Sequence, residues 1–492
     1  MVPLIPFPLS LRPPLPTIVG NVDYRLLRER LLRIDELLRQ SGVETGFVAQ
    51  ALDQWVGRQK RPSARSQLNF QVHTRRALRC NLLRTLLQED YRGFAVRLAD
   101  SPLFQHFCGL AEIDRVVVPG KSTLQRYAQW TDRTTLDQLV QQLTREAHVH
   151  PGPMRLDQPV DLDACFLDTT CVCAHIHYPV DWVLLRDATR TLMKGVELIR
   201  RQGLRHRMEP PAVFITRMNR LCIAMTHAPK KADGKRHRKK VLRRMDRLVA
   251  AVRDHARRYR QLLDEQWKHT DWTRPQVAQV LRRLDGVLQQ LPTARAQARQ
   301  RIIREQPVAN EEKILSLYES AIRVVVRHKA GAEVEFGNTL LLGESRQGLL
   351  LDWELFAETA PNDSLLLLKR VERIEQTLQI KLKAVAADRG FDSSRNQDRL
   401  ADHKIYNGIC PRDPHELTQR MHSWKFARLQ RRRSQTEGRI GIFLHNILGV
   451  PIRSKGFAHR QLAVGWGVLT HNLWVLARLP QRPSRKEQKL AA

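Results

Sequence analysis

Apolar and polar positions follow a helical period over the first third of the chain and then change to a strand pattern. Apolar side chains recur every three or four positions in four stretches, which predicts amphipathic helices at residues 24–40, 45–56, 75–87 and 91–100. A fifth, basic helix is predicted after Lys121, with Ser122 or Thr123 as its N-cap and Arg126 on its surface. We therefore expect residues 21–155 to be helical throughout.

The middle of the chain opens on a strand and continues as helices. Residues 161–173 are apolar and β-branched, as in a buried central strand, and Asp168 closes the first apolar run. Residues 183–315 are expected to be helical. Within them, amphipathic segments at residues 235–267 and 274–303 are joined by a short turn, which predicts a long antiparallel helical hairpin.

The last third returns to strands. We predict a strand hairpin, a helix, a strand that ends on Asp388, a short strand and then a basic helix that contains Glu437. The corresponding residues are 333–342 with 348–355, then 363–379, 382–387, 406–410 and the stretch around 431–439. Without the helical insertion, this order is that of the mixed sheet of a ribonuclease H-like core, so the predicted fold class is α/β.

The pattern divides the chain into six parts. They are a proline-rich arm, a helical DNA-binding region, the first part of the core, a helical hairpin insertion, the rest of the core with C-terminal helices, and a basic tail. Their predicted boundaries are residues 1–20, 21–155, 156–182, 183–320, 321–478 and 479–492.

The net charge of the chain indicates which class of molecule it binds. The 492 residues carry a formal net charge of +33 and a pI of about 10.7, so a polyanion is expected to neutralise the surface, and DNA or RNA fits best. No apolar stretch reaches the length of a membrane span, and a signal peptide is not expected because prolines break the first twenty residues. The seven scattered cysteines indicate reduced thiols in a cytosolic setting.

Three acidic residues are the candidate catalytic residues. Asp168 and Asp388 follow apolar strands, where open α/β sheets place their sites, and Glu437 lies on a basic helix. Carboxylates are hard ligands that suit Mg²⁺ or Mn²⁺, and three of them can hold two ions for phosphoryl transfer. Taken singly, each residue has a simpler interpretation: a polar strand end, a helix N-cap and a surface salt bridge, in that order.

The motifs resemble those of bacterial insertion-sequence transposases with a DDE triad, most closely the ISNCY-type group. The resemblance covers roughly residues 70–478 and is specific only in combination. The blocks that carry it are Leu167-Asp168-Thr169-Thr170 with Ile176-His177-Tyr178-Pro179, Glu335-Phe336-Gly337-Asn338, Ala387-Asp388-Arg389-Gly390-Phe391-Asp392-Ser393, Glu437-Gly438-Arg439-Ile440, and Gly465-Trp466-Gly467-Val468 with His471-Asn472-Leu473. The stretches 78–110 and 121–126 are similar to the same group.

The resemblance implies roles on the last helix of the core. Related transposases have a tyrosine, an arginine, a glutamate and a lysine spaced along it, and here Arg433 and Glu437 keep the middle spacing. Gln430 and Leu444 stand where the tyrosine and the lysine are expected. Gln430 can still donate a hydrogen bond to phosphate, Leu444 cannot, and His445 is a candidate substitute. Arg433 is expected to steady a phosphate one turn from Glu437.

Several cations outside this helix are candidate DNA contacts. Lys121 and Arg126 suit a helix-turn-helix that reads the major groove, although a plain structural helix has the same pattern. Lys239 and Lys240 lie in a basic run that either touches phosphates or is a solvated charged segment. The hairpin could clamp DNA, pair with another subunit or serve as a scaffold.

A zinc site was the other metal hypothesis. Cys171, Cys173, His175 and His177 alternate along the first strand. Zinc ligands are usually paired across a turn, and residues two apart on one strand rarely enclose a tetrahedral ion, so the sequence does not predict zinc here.

The sequence thus predicts a transposase that binds the inverted-repeat ends of its element and cleaves and joins DNA with two Mg²⁺ or Mn²⁺ ions. Its expected partners are double-stranded DNA and further copies of the chain, in a homodimer or larger synaptic complex without a membrane. Its expected location is the bacterial cytoplasm, on the nucleoid. The alternatives are an inactive DNA-binding protein derived from a transposase, and a ribonuclease H-like nuclease that does not join strands.

Overall fold

The helices and strands follow the predicted order closely, with additions in the middle of the chain. The computed structural model describes residues 14–59, 61–112, 114–228, 233–329 and 332–482. The predicted arm up to residue 13, residues 230–232 of the basic run and the tail from residue 483 lie outside the described residues.

The N-terminal part of the described chain is helical, as predicted. Its helices are α1 (Val22–Gln40), α2 (Val43–Val56), α3 (Ala64–Leu87), α4 (Tyr91–Asp100), α5 (Pro102–Cys108), α6 (Lys121–Ala128) and α7 (Arg133–Val149). The N-cap of α6 is Gly120, which makes no side-chain cap bond, so the prediction of Ser122 or Thr123 as the cap was wrong. Asp90, by contrast, caps α4 by accepting from the backbone N–H groups of Arg92 and Gly93.

The remaining elements are the strands of one sheet, the helices that pack on this sheet and the helices of the insertion. The strands are β1 (Ala164–Cys173), β2 (Arg323–Lys329), β3 (Ala332–Glu344), β4 (Leu350–Leu355), β5 (Ala384–Ala387) and β6 (Tyr406–Asn407). The helices are α8 (Asp181–Arg201), α9 (Pro211–His227), α10 (Gly234–Gln266), α11 (Arg274–Ala298), α12 (Asp363–Leu378), α13 (Ser394–Asp402), α14 (Pro414–Met421), α15 (Trp424–Ile442) and α16 (Phe457–Leu476).

Strand β1 is the centre of a mixed six-stranded sheet. It pairs antiparallel with β3 on one side and parallel with β5 on the other, and β6 continues the parallel side. The far edge of β3 pairs antiparallel with both β2 and β4. Strand β2 was not predicted, and β1 runs on to Cys173, so Asp168 lies inside the strand and does not end it.

One hydrophobic core joins the N-terminal helices to the sheet. It contains residues of α1, α3 and α7 together with β3, β4 and α16. The guanidinium of Arg133 on α7 lies 4.1 Å from the ring centre of the buried Trp353 on β4, and Trp466 on α16 packs edge-on against Phe47. The helices of residues 21–155 therefore share a core with the sheet.

The insertion has a second core of its own. The predicted hairpin corresponds to α10 and α11, and α8 and α9 pack on it, so the hairpin is part of a bundle of helices. Thr273 and Gln276 form a capping box at the start of α11. Gly195 allows α8 and α11 to approach closely, since a Cβ there would lie 2.6 Å from Leu284 Cδ2.

Membrane-spanning segments were not expected from the sequence. Over the described ranges, none of the helices combines the length and the apolar character needed to cross a lipid bilayer.

Candidate active site

The register of β1 and β5 brings Asp168 and Asp388 next to each other. The last registered pair of these parallel strands is Leu167 with Ala387, and the two aspartates are the next residues on each chain. Neighbouring strands lie about 4.8 Å apart, so the two carboxylates start from adjacent backbone positions. Both residues are half-buried.

Both aspartates point to the sheet face that α15 covers. Side chains alternate between the faces of a strand, so Asp168 shares its face with Phe166, and Asp388 shares its face with Ala386. Phe166 and Ala386 pack in one cluster with Leu429 of α15. The opposite face is covered by α12, whose Ile374 approaches Gly343 of β3.

Each aspartate is oriented by a local hydrogen bond. The backbone N–H of Thr169 donates to Asp168 Oδ1 at 2.7 Å. The backbone N–H of Gly390 donates to Asp388 Oδ1 at 2.9 Å, which caps the short 3₁₀ turn Arg389–Phe391. These bonds fix the orientation of both carboxylates, that of Asp168 within β1 and that of Asp388 directly after β5.

Glu437 lies on the flank of α15 that faces the end of β5. Gln430, Arg433 and Glu437 follow each other at spacings of three and four, so they share one flank of the helix. Gln430 Nε2 donates to the Gly408 carbonyl at 2.6 Å, and the Gly408 N–H donates to the Val385 carbonyl of β5. This flank therefore looks towards the strand end where Asp388 lies.

The position of Glu437 along the sheet matches that of Asp168. Its neighbour Thr436 lines a small cavity together with Leu342, and Leu342 is directly opposite Asp168 in the ladder of β1 and β3. Arg433 Nη1 lies 4.0 Å from Glu437 Oε1, so the two side chains are neighbours on this flank of α15.

The three carboxylates converge on one region without closing around a single point. Glu437 is 65% exposed. Among the described residues, the one group of three potential metal ligands within 4.8 Å of one another involves other side chains. At least one pair among Asp168, Asp388 and Glu437 is therefore separated by more than 4.8 Å.

The opposite flank of α15 is held by a buried carboxylate that the sequence analysis missed. Glu344 of β3 is 2% exposed and accepts from Arg432 at 2.9 Å and from Arg439 at 2.8 Å. Burial lowers the pKa of Arg432, and the nearby Glu344 opposes that shift.

The two departures from the family pattern have structural explanations. Leu444 is 8% exposed and belongs to the main core, so a lysine would not fit there. Gln430 Nε2 donates to the Gly408 carbonyl, and Gln430 Oε1 accepts from Arg433 Nε at 3.1 Å. Gln430 thus positions Arg433, and we no longer expect it to contact phosphate itself. His445 is exposed in a π-helical turn after α15.

Of the cations predicted to contact DNA, some are exposed to solvent and one forms an ion pair within the protein. Lys121 and Arg126 are exposed on α6, although Arg126 Nη2 also donates to Thr123 Oγ1 at 3.1 Å. Lys240 is exposed at the start of α10. Lys239 forms a 2.7 Å ion pair with Glu305, which lowers the pKa of that carboxyl, so its charge is less available to phosphate than predicted.

A basic and aromatic cavity beside α15 was also missed. It has a volume of about 300 Å³, and its lining contains four cations and no carboxylate: Phe166, Arg346, Trp424, Lys425, Arg428, Leu429 and Arg432. Trp424 is 72% exposed, and the Arg428 guanidinium lies 5.2 Å from its ring centre. Such a surface can stack a base and bind its phosphates. The run of basic residues around an aromatic at the start of α15 was the available sequence signal.

Other acidic residues near the strands have structural partners. Asp161 pairs with Arg346 and Asp163 pairs with Lys383, both before β1 begins. Asp352 is buried on the α12 side between Arg370 and Arg373, and burial raises its pKa. Asp363 accepts from Thr169 Oγ1 at 3.1 Å, which places a further carboxylate near the strand ends.

Comparison of this chain with protein-family models, with curated proteins and with solved structures finds no match in any of the three.

Proposed function

We propose that this protein is a DDE transposase, which cleaves and joins DNA at the ends of an insertion sequence. The observation that carries the proposal is the parallel register of β1 and β5. It sets Asp168 beside Asp388 on the face covered by α15, and α15 carries Glu437 at the same level. Two strand aspartates and a helical glutamate on one face form the donor set that this chemistry needs.

The topology supports a ribonuclease H-like core. The path β4–β3–β1–β5–β6 has antiparallel pairs up to β1 and parallel pairs after it, with β1 central. In this interpretation the helical bundle α8–α11 and strand β2 are inserted between the first and second core strands. Helices α12 and α15 cover the two faces, as a mixed α/β sheet requires.

The donor atoms fit Mg²⁺ or Mn²⁺, which prefer carboxylate oxygens and keep water and phosphate oxygens in their shells. When bound, two such ions supply an activated hydroxyl and stabilise the leaving 3′-oxygen. Asp168, Asp388 and Glu437 would hold these ions through their carboxylate oxygens. Arg433 holds a phosphate oxygen beside Glu437, and Gln430 fixes the orientation of Arg433.

The surface around this site suits double-stranded DNA. The net charge of +33, the cations of the cavity beside α15 and the exposed Lys121, Arg126 and Lys240 can neutralise phosphates along a duplex. Joining two element ends requires a synaptic complex, so a homodimer or larger assembly is part of the proposal. The proposed location is the bacterial cytoplasm, on the nucleoid.

A second candidate is an inactive DNA-binding protein that descends from a transposase. The observation that favours it is the open arrangement of the carboxylates. Glu437 is 65% exposed, and the three carboxylates do not all lie within 4.8 Å of one another. Such a protein would bind the same DNA and leave its strands intact.

Incubation of the protein with a duplex that carries the terminal repeat of its element, in Mg²⁺ or Mn²⁺ and in chelator, tests the proposal. A transposase produces metal-dependent cleavage at the end and joined products with a target plasmid. A gel shift without cleavage supports the inactive binder. Cleavage without joining supports a ribonuclease H-like nuclease.

A further inference from the structure

A group of two thiols and one carboxylate lies on the sheet, apart from the three acidic residues. One ligand atom each from Cys171, Cys173 and Glu335 lies within 4.8 Å of the other two. It is the one group of this kind in the part of the chain that the structure describes. Cys171 is buried, and the other two side chains are half-buried.

Strand register builds this group. Cys171 and Cys173 are two residues apart on β1, so both side chains point to the same face. Cys173 is directly opposite Gly337 of β3, and Glu335 is two residues from Gly337 on that same face. The third ligand therefore comes from the neighbouring strand, which the spacing of the cysteines alone does not reveal.

Gly337 makes the approach of the thiols possible. A Cβ at this position would lie 2.9 Å from Cys171 Sγ and 2.2 Å from the Val172 carbonyl oxygen. Any other residue would push β1 and β3 apart at the point where the sulfur atoms converge. The short sequence from Glu335 to Gly337 thus supplies both a ligand and the space for the other two.

The donor types select a soft or borderline cation. Thiolate ligands favour Zn²⁺ over Mg²⁺, and a carboxylate is an accepted third ligand. For Zn–S bonds of about 2.3 Å at tetrahedral angles, ligand atoms lie about 3.8 Å apart, within reach of the observed group after a small adjustment. His175 and His177, the other members of the sequence-based hypothesis, are exposed and outside the group.

We propose that Cys171, Cys173 and Glu335 form a Zn²⁺ site that ties β1 to β3, with water as the fourth ligand. Binding releases the thiol protons and leaves two thiolates and one carboxylate on the ion. Asp168 and Cys171 are three residues apart on β1, so their side chains point to opposite faces. The zinc site is therefore separate from the proposed Mg²⁺ site and does not depend on that proposal.

Cobalt substitution of the reduced, chelator-treated full-length chain tests this inference. Co²⁺ is expected to give a thiolate-to-metal charge-transfer band at a stoichiometry of one, and Zn²⁺ should displace it. The Cys171→Ser, Cys173→Ser double variant should lose the band. Glu335→Gln should keep part of it with an affinity lower by about tenfold or more, because two thiolates remain.

Two controls keep the result interpretable. Cys410→Ser removes a half-buried thiol elsewhere and should leave the band unchanged. Asp168→Asn should also leave it unchanged, whether or not the protein cleaves DNA. If the double variant does not fold, Cys173→Ser alone replaces it, since that residue is half-buried. Absence of the band in the wild type, or its persistence in the cysteine variants, overturns the proposal.

Discussion

The sheet region, which is the sheet together with the helices that share its core, and the helical insertion α8–α11 differ in how their charged side chains are arranged. In the sheet region, buried arginines are held by buried carboxylates: Arg79 by Asp35 and Glu44, and Arg460 by Glu319. In the insertion, α10 alone carries twelve Lys and Arg residues against four Asp and Glu, with its apolar side chains turned into the second core.

Arginine therefore has two different roles in the two regions, one structural and one in attracting anions. Buried ion pairs cost much free energy to break and therefore fix positions, as Glu344 fixes α15. An excess of exposed cations fixes little and instead attracts a polyanion. We infer that the sheet region positions the chemistry, while the insertion contributes affinity for DNA. The predictions below test this division.

The largest effect is expected for the strand aspartates. Asp168→Asn and Asp388→Asn each keep shape but remove a negative ligand, so metal-dependent strand cleavage should fall about a thousandfold or more. DNA binding in chelator should change little. Cleavage rates and gel shifts measure the two quantities. Asp402→Asn, an exposed aspartate on α13, is the matched control and should cleave like the wild type.

The next effect concerns the anchor of α15. Glu344→Gln leaves Arg432 and Arg439 without their buried carboxylate, which should lower the free energy of unfolding by about 3–5 kcal/mol. Urea unfolding measures the loss. Glu416→Gln, which breaks only a partly exposed pair with Arg420, should cost less than about 1 kcal/mol. Equal losses in both variants would show that Glu344 is not an anchor.

A smaller effect is expected for the cationic surface of the insertion. Arg243, Arg244 and Arg247 are exposed on α10, and replacing all three with alanine should reduce the salt dependence of DNA binding. If each contacts a phosphate, the slope of log K against log salt falls by about 0.9 per residue. Arg260→Ala is the control, because Arg260 is already paired with Asp264 and Asp285. An unchanged slope would remove the insertion from the DNA-binding surface.

The smallest effect concerns pH. Burial lowers the pKa of His471, so its neutral form is favoured in the folded state. The unfolded state takes up a proton first as pH falls below about 6.5, and the stability contributed by the neutral histidine is lost from there downwards. His471→Asn should be less stable than the wild type at about pH 7.5, and the difference should shrink at about pH 5 in urea unfolding.

Local patterns predicted most elements because their residues interact mainly within one segment. Helix α4 was predicted at its observed ends, and the strand before Asp388 was predicted from a short apolar run. Strand β2 was missed because its apolar residues are few and its pairing with β3 is not local. No sequence pattern shows that the N-terminal helices share a core with β4, because this packing joins segments far apart in the chain.

The candidate site was predictable in its residue types and not in its geometry. Asp168 and Asp388 follow recognisable apolar runs, but their adjacency depends on a register formed across a long insertion. Glu344 gave no sequence signal, since a single glutamate near a turn usually lies at the surface. The ligand role of Glu335 likewise depends on pairing between strands.

The most direct test of the account is strand cleavage by Glu437→Gln. The substrate is the element-end duplex in Mg²⁺ or Mn²⁺, and DNA binding is measured in parallel. The account predicts cleavage by the wild type and its loss in the variant, with binding retained, because Glu437 is proposed to complete the metal site with Asp168 and Asp388. Equal cleavage by both proteins would contradict the assignment of Glu437, and binding without cleavage by either would contradict the proposed activity.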